Sequence, residues 1–120
     1  MTNPISKHRF HAFQNQSGRC YYCSSVMWLT GKNNFASEHA ISIAEAEKFK
    51  CTAEHLVARS DGGNNSKSNI VAACRFCNEG RHRRKNPPNP DKYRKHVQGR
   101  IGKGKWHPKA QHHLLSQSAE

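Results

Sequence analysis

Acidic residues and long apolar runs are both scarce in this sequence. Only 8 Asp and Glu stand against 20 Lys and Arg, which gives a formal net charge of +12 at pH 7. Hydrophobic residues make up 34% of the chain, and no apolar run is long enough to cross a bilayer. The composition therefore argues against a membrane-spanning protein and favours a polyanionic partner. Nucleic acid is the first candidate for that partner. An anionic membrane surface is a weaker second, because no basic amphipathic helix is visible.

The small apolar fraction also limits the core. A chain of 120 residues is expected to form one domain, and a domain with a lean core often needs a metal ion or disulfides as well. The N-terminal segment MTNPISKHRFHAF lacks the apolar centre of a secretory signal, which predicts a cytosolic protein whose thiols stay reduced.

Four of the five cysteines form two C-x-x-C pairs, Cys20 with Cys23 and Cys74 with Cys77. In a reducing compartment, paired cysteines at this spacing indicate a tetrahedral zinc site of four thiolates. Such a site is structural, because four protein ligands leave no coordination position for a substrate. Two disulfides are the alternative. Cys51 is left over, and a free cysteine is more often a small buried residue than a reactive thiol.

Turn and capping signals divide the chain into short elements. The predicted elements are a helix over 4–16, a turn over 31–34, a helix over 43–50, strands over 51–57 and 69–73, a helix over 75–85 and a short helix over 89–97. The two strands and the helix after residue 50 predict a ββα unit, so the expected fold class is α+β with flanking helices. We expect the main domain over 1–88 and a basic, partly flexible C-terminal extension over 89–120.

The stretch from the first of these two strands to the helix that follows them combines four motifs in a fixed order. They are the dyad Glu54-His55, the glycine turn Gly62-Gly63, Ser68-Asn69-Ile70-Val71 and Cys74-x-x-Cys77-Asn78. In this combination the sequence resembles HNH endonucleases of the ββα-metal, or His-Me finger, type over about residues 19–85. It is similar in particular to small stand-alone bacterial and phage members with a four-cysteine zinc site. Each motif alone is weak evidence for this family, but all four motifs in this order are specific to it.

The resemblance implies a role for each residue of the motif. His55 would be the general base that activates water, and Asn69 would hold the loop that carries this base. Histidine suits a base because its side chain ordinarily titrates near ~6.5. Glu54, Asn78 and His82 would surround one divalent cation, and oxygen donors favour Mg²⁺ or Mn²⁺ over zinc. The family usually has aspartate or histidine where this chain has Glu54. Glutamate is one methylene group longer than aspartate, so the position of the cation could be shifted.

Some of these residues keep a second interpretation. Asn69 could be an ordinary residue at the start of a strand. Asn78 and His82 share a helix face, but His82 could instead contact phosphate or lie in solvent. Glu79 points to a different face and is expected at the surface.

Basic residues at the end of the same helix are expected to contact phosphates beside the scissile bond. They are Arg81, Arg83, Arg84 and Lys85, with Arg59 from the preceding loop as a further candidate. A solvated helix end that favours cations is the alternative. In the basic tail, Trp106 and His107 could stack on bases or pack onto the domain.

Together with the resemblance, these patterns predict metal-dependent hydrolysis of DNA phosphodiester bonds, with duplex DNA as the partner. No base-specific reading module is visible, so weakly specific cleavage or nicking is expected. The alternative is a non-catalytic zinc protein that binds nucleic acid. A zinc-stapled interaction adaptor would leave the charge and the dyad unexplained. The resemblance implies a bacterial cytoplasmic or phage-encoded protein, and a homodimer or an accessory protein is left open.

Overall fold

The computed structural model describes residues 4–108 and 113–115, so the ends of the predicted ranges 1–88 and 89–120 lie outside the described residues. Within the described part, five α-helices surround one two-stranded sheet. In chain order, the helices and strands are α1 (Pro4–Asn15), α2 (Lys32–Glu38), α3 (Ile43–Ala46), β1 (Cys51–His55), β2 (Ile70–Cys74), α4 (Arg75–His82) and α5 (Pro90–Gly102). Among these helices, none is long and apolar enough to cross a membrane.

The two strands pair antiparallel, with Cys51 opposite Cys74 and His55 opposite Ile70. Helix α4 begins directly after β2, and the sulfur of Cys74 caps it by accepting a hydrogen bond from the backbone N–H of Cys77. The β-branched and small apolar residues of β2 suit a strand that packs on both faces. The predicted α+β fold with a ββα unit is therefore confirmed.

The outer edge of β2 is covered from the N-terminal side of the chain. The side-chain amide of Gln16 donates to the carbonyl of Ala72 at 2.8 Å, and its oxygen accepts from the N–H of Ala72 at 3.0 Å. The N–H of Tyr21 donates to the same carbonyl at 2.9 Å. These bonds satisfy backbone groups that an unpaired edge strand would leave exposed.

The predicted ends of α1, β1, β2 and α4 differ from the observed ends by up to three residues, because β1 stops at His55 and α4 at His82. Three further differences are larger. The turn predicted over 31–34 is wrong, because Gly31 adopts φ 80° and α2 begins at Lys32. The helix predicted over 43–50 has the expected capping box of Ser42 and Glu45, but it tightens into a 3₁₀ turn after Ala46. Helix α5 continues to Gly102, beyond the predicted end.

The core has two parts. The larger part surrounds the four paired cysteines and includes Tyr22, Tyr93 and Val97, each of which is fully buried. Because Tyr93 and Val97 come from α5, this helix packs into the main core although it lies in the predicted extension. The smaller part joins α2 to α3 and to the 3₁₀ turn after α3, through Phe35, Ala46 and Phe49.

Candidate functional site

A buried carboxylate lies where β1 faces α4. Glu54 is only 1% exposed, and its Oε2 accepts from the Tyr22 hydroxyl at 2.8 Å and from Arg81 Nη1 at 2.9 Å. Its other oxygen, Oε1, lies 2.9 Å from Nε2 of His82. Burial and the adjacent carboxylate raise the pKa of Tyr22, so the phenol stays protonated and donates. The carboxylate thus has one oxygen fixed by two donors and one oxygen directed at His82.

Arg81 lies inside the protein, not at the surface where a phosphate contact was expected. Its side chain is only 5% exposed, and besides Glu54 its guanidinium donates to the carbonyls of His55, Leu56 and Pro88 at 3.0–3.2 Å. A buried carboxylate needs such a partner, because an uncompensated charge in the interior is very costly. Arg81 therefore holds Glu54 and the end of β1 together.

The imidazole of His55 is oriented by a residue of the loop between the strands. Its Nε2 lies 2.8 Å from Oδ1 of Asn65, which also accepts from Arg59 Nη2 at 2.9 Å. Arginine can only donate, so the amide atom that faces both partners is the oxygen. Since Oδ1 accepts, Nε2 of His55 carries the proton. In the neutral ring Nδ1 is then the unprotonated nitrogen, the form that a general base requires.

Asn69 fixes the same loop through hydrogen bonds of its side chain to backbone groups of Val57 and Asn64. Its Oδ1 accepts from the N–H of Val57 at 2.8 Å, and its Nδ2 donates to the carbonyls of Val57 at 3.0 Å and Asn64 at 2.8 Å. Asn69 thereby joins both ends of the loop that contains Asn65. Asn65 was not predicted from the sequence, because its position inside the run Gly62–Ser66 offers only a general turn signal.

The two glycines of the loop have different requirements. Gly62 has φ 90°, a left-handed conformation that side chains rarely adopt. Gly63 lies so close to the chain that a Cβ there would be 1.7 Å from the carbonyl oxygen of Val57. Its N–H donates to the carbonyl of Ala58 at 2.9 Å, which closes the turn. The glycine pair therefore permits the tight path that brings Asn65 to His55.

Asn78 and His82 lie on the face of α4 that packs on β1. Nδ2 of Asn78 donates to Oγ1 of Thr52 at 3.0 Å and lies 3.4 Å from the carbonyl of Ala53. His82 continues the same face one turn later and reaches Glu54. Two adjacent ligands of an octahedral Mg²⁺ lie about 2.9 Å apart, given bonds of about 2.0–2.1 Å. The 2.9 Å between Glu54 Oε1 and His82 Nε2 is compatible with such a pair.

Exposed cations follow this face at the end of α4. They are Arg83, Arg84 and Lys85, and Arg59 is exposed in the loop beside His55. Arg84 donates to Nε2 of His96 at 3.0 Å and lies over the ring of Tyr93. Glu79 is exposed as expected and pairs with Arg75. Positive charge is therefore concentrated on both sides of the dyad.

The four paired cysteines come together behind the ββα unit. All four are buried, and their sulfurs lie within 4.8 Å of one another. None forms a disulfide. Burial raises the pKa of Cys74 and Cys77, whereas hydrogen bonds from the other three thiols outweigh burial at Cys20 and lower its pKa. Four thiol sulfurs at this separation are compatible with a structural zinc ion. Cys51 stands apart, and burial raises the pKa of its thiol to about 12, so it is a buried residue and not a reactive thiolate.

Comparison with known proteins gives one match. A family model described as HNH endonuclease matches residues 20–84, more than half of the chain, from the first cysteine pair to Arg84 just after α4. Searches of curated proteins and of solved structures found no match. The matched range contains both cysteine pairs, the dyad, the glycine turn and both asparagines of the motif. This chain belongs to the HNH endonuclease family.

Proposed function

We propose that this protein is a metal-dependent endonuclease that hydrolyses DNA phosphodiester bonds. The observation that carries the proposal is the pairing of His55 with Asn65. It supports an unprotonated Nδ1 on the histidine that directly follows the buried Glu54. The HNH family match agrees with the proposal.

In the proposed reaction, Nδ1 of His55 accepts a proton from the water that attacks phosphorus. Asn65 keeps the opposite nitrogen protonated, and Asn69 holds the loop in place. Glu54, His82 and Asn78 would hold one divalent cation, Mg²⁺ or Mn²⁺. When bound, this cation would stabilise the negative charge that develops on the phosphate. Arg81 and Tyr22 hold one oxygen of Glu54 in place, so that its other oxygen faces His82.

We further propose that Cys20, Cys23, Cys74 and Cys77 hold a structural zinc ion. Four thiolates complete a tetrahedron, so this ion would stabilise the fold and take no part in the reaction. Its removal should unfold the protein, because it would join the first cysteine pair to the ββα unit. Cys74→Ser should lower zinc content and stability together.

Duplex DNA is the proposed partner. Arg59, Arg83, Arg84 and Lys85 are exposed, and the formal net charge of +12 favours a polyanion. These contacts would be made to phosphates, which predicts affinity that falls steeply with salt and depends little on base sequence. Arg81 is not included, because its donors are used within the protein.

The second candidate function is a zinc-containing protein that binds nucleic acid without cleaving it. The observation that favours it is the complete hydrogen bonding of Glu54, whose two oxygens already face Tyr22, Arg81 and His82. In that case Glu54 would be a structural residue, and a second metal ion would have no binding site.

A plasmid-relaxation assay separates the two functions. The wild type is compared with His55→Ala in Mg²⁺, Mn²⁺ or excess EDTA. The matched control is His39→Ala, which changes a histidine that contacts Phe35 in the smaller core cluster. We expect metal-dependent nicking that falls by about 10²–10⁴-fold in His55→Ala and is kept in His39→Ala. Salt-sensitive DNA binding by the wild type without cleavage in any metal would reject the nuclease in favour of the binding protein.

A further inference from the structure

The segment after α5 returns to the cysteine cluster. Nε1 of Trp106 donates to the sulfur of Cys77 at 3.3 Å. Nε2 of His107 lies 3.6 Å from the sulfur of Cys74 and 3.8 Å from that of Cys23. Two ring N–H groups thus face three of the four sulfurs. This segment was expected to be a basic tail, and no motif in the sequence connects it with the cysteines.

The fourth sulfur has donors of its own. Cys20 Sγ lies 3.4 Å from the N–H of Tyr22 and 3.3 Å from the N–H of Cys74. Every sulfur of the cluster therefore has at least one N–H group within hydrogen-bonding reach. Backbone donors serve the sulfur that Trp106 and His107 do not reach.

His107 is fixed in this position by its neighbours. Its ring is 6% exposed and lies against Phe49 at 4.6 Å with an interplanar angle of 8°, and against Phe76 at 4.3 Å. The backbone of His107 has φ 61°, a conformation that residues other than glycine rarely adopt. The surrounding contacts therefore maintain a strained backbone that delivers the ring to the sulfurs.

The chemistry of the cluster explains what these donors would do. Four thiolates around Zn²⁺ leave two net negative charges in the buried interior. A metal-bound thiolate can only accept a hydrogen bond, so Nε2 of His107 would carry the proton. N–H groups aimed at the sulfurs spread this charge, and such outer contacts hold ligands in place and tune the metal.

We propose that Trp106 and His107 are positioning residues that retain zinc by donating hydrogen bonds to its thiolate ligands. The proposal rests on the proposed structural zinc and is independent of nuclease activity. His107 acts as a donor and not as a ligand, since the four cysteines already complete a tetrahedron. The C-terminal part of the chain is then required for a metal centre whose ligands all come from residues 20–77.

The test uses His107→Phe and Trp106→Phe, which keep an aromatic ring and remove the N–H donor. His39→Phe is the matched control, because it removes an imidazole that contacts the ring of Phe35, a residue of the other core cluster. Zinc content of the purified full-length proteins is measured first. The rate of zinc transfer to a chromogenic chelator is then measured. We expect both donor variants to lose zinc about 10–100-fold faster than the wild type, and the control to match the wild type.

The cobalt-substituted proteins distinguish hydrogen bonding from packing and from ligation. Loss of an N–H donor should move the thiolate-to-cobalt charge-transfer band to lower energy and leave the ligand-field pattern of four sulfurs unchanged. Unchanged zinc release and an unchanged charge-transfer band would overturn the proposal. So would a ligand-field change in His107→Phe, which would make His107 a direct ligand. A wild type that binds no zinc would reject the zinc centre itself, whatever the result for DNA cleavage.

Discussion

The hydroxyl of Tyr22 donates to Oε2 of Glu54 at 2.8 Å, and both residues are buried. Tyr22 lies between the two cysteines of the first pair. Arg81 lies four residues after the last cysteine of the second pair and donates to the same oxygen at 2.9 Å. The segments that carry the two cysteine pairs therefore each supply a donor to one carboxylate. The cluster that would bind zinc and the acid of the dyad are connected by two side chains.

Tyr22→Phe tests this connection because it removes only the hydroxyl. A hydrogen bond to a charged group contributes about 1.5–3 kcal/mol, so the free energy of unfolding should fall by this amount. Urea unfolding of the zinc-loaded protein measures the change. Tyr21→Phe is the control, since Tyr21 is partly exposed, and it should stay within about 0.5 kcal/mol of the wild type. Equal losses in the two variants would show that the Tyr22 hydroxyl has no special role.

Arg81→Ala should be among the most destabilising substitutions in this chain. It leaves the buried Glu54 carboxylate without its cation, which costs about 3–5 kcal/mol in a buried pair. Arg83→Ala is the matched control, because this neighbour is exposed and should lose DNA affinity with little change in stability. Glu54→Gln in the Arg81→Ala background should recover part of the stability, since the buried charge is then removed. An Arg81→Ala protein as stable as the wild type, but with weaker DNA binding, would restore the phosphate contact that the sequence suggested.

The parts of this structure that sequence predicted are those specified by neighbouring residues. The capping box of Ser42 and Glu45 and the order of strands and helix after residue 50 depend on residue types a few positions apart. The two cysteine pairs are also recognisable, because a fixed spacing within each pair leaves few alternatives to a shared site.

The parts that sequence could not predict depend on contacts between distant residues. Arg81 was indistinguishable from its exposed neighbours, because its burial depends on where α4 meets Glu54. Asn65 lies in a loop whose turn residues all carry similar signals. His107 reaches Cys23 across 84 positions, a contact that only the packing of α5 creates. Gly31 adopts a left-handed conformation directly before α2, and the turn signal in the sequence does not show that a helix follows it.

Asn65→Ala tests the orientation of the proposed base. It removes the oxygen that accepts from Nε2 of His55, so the ring can adopt the other tautomer and rotate. Under the proposed function, the nicking rate should fall about tenfold or more, but less than the ~10²–10⁴-fold loss expected for His55→Ala. Asn33→Ala, at an exposed position of α2, is the control. Full activity in Asn65→Ala would show that another group orients His55.

Gly63→Ala should damage the loop that carries Asn65, because a Cβ at this position would lie 1.7 Å from the carbonyl oxygen of Val57. Backbone cannot move aside as the end of a flexible side chain can, so the loop must open. Overpacking of this kind costs about 1–3 kcal/mol or more. Amide hydrogen exchange should show lost protection at Gly63, whose N–H now donates to Ala58, while protection in the sheet is kept.

Gly99→Ala is the matched control for this substitution. Gly99 lies within α5, and a Cβ there would meet nothing within 4 Å. Alanine is the better helix former, so this variant should be more stable by about 0.5–1 kcal/mol. If Gly63→Ala lowers the free energy of unfolding and Gly99→Ala raises it, the space beside the backbone, and not the added methyl group itself, decides the outcome. If Gly63→Ala kept wild-type exchange and nicking rates, the close approach of Gly63 to Val57 would not be required to position His55.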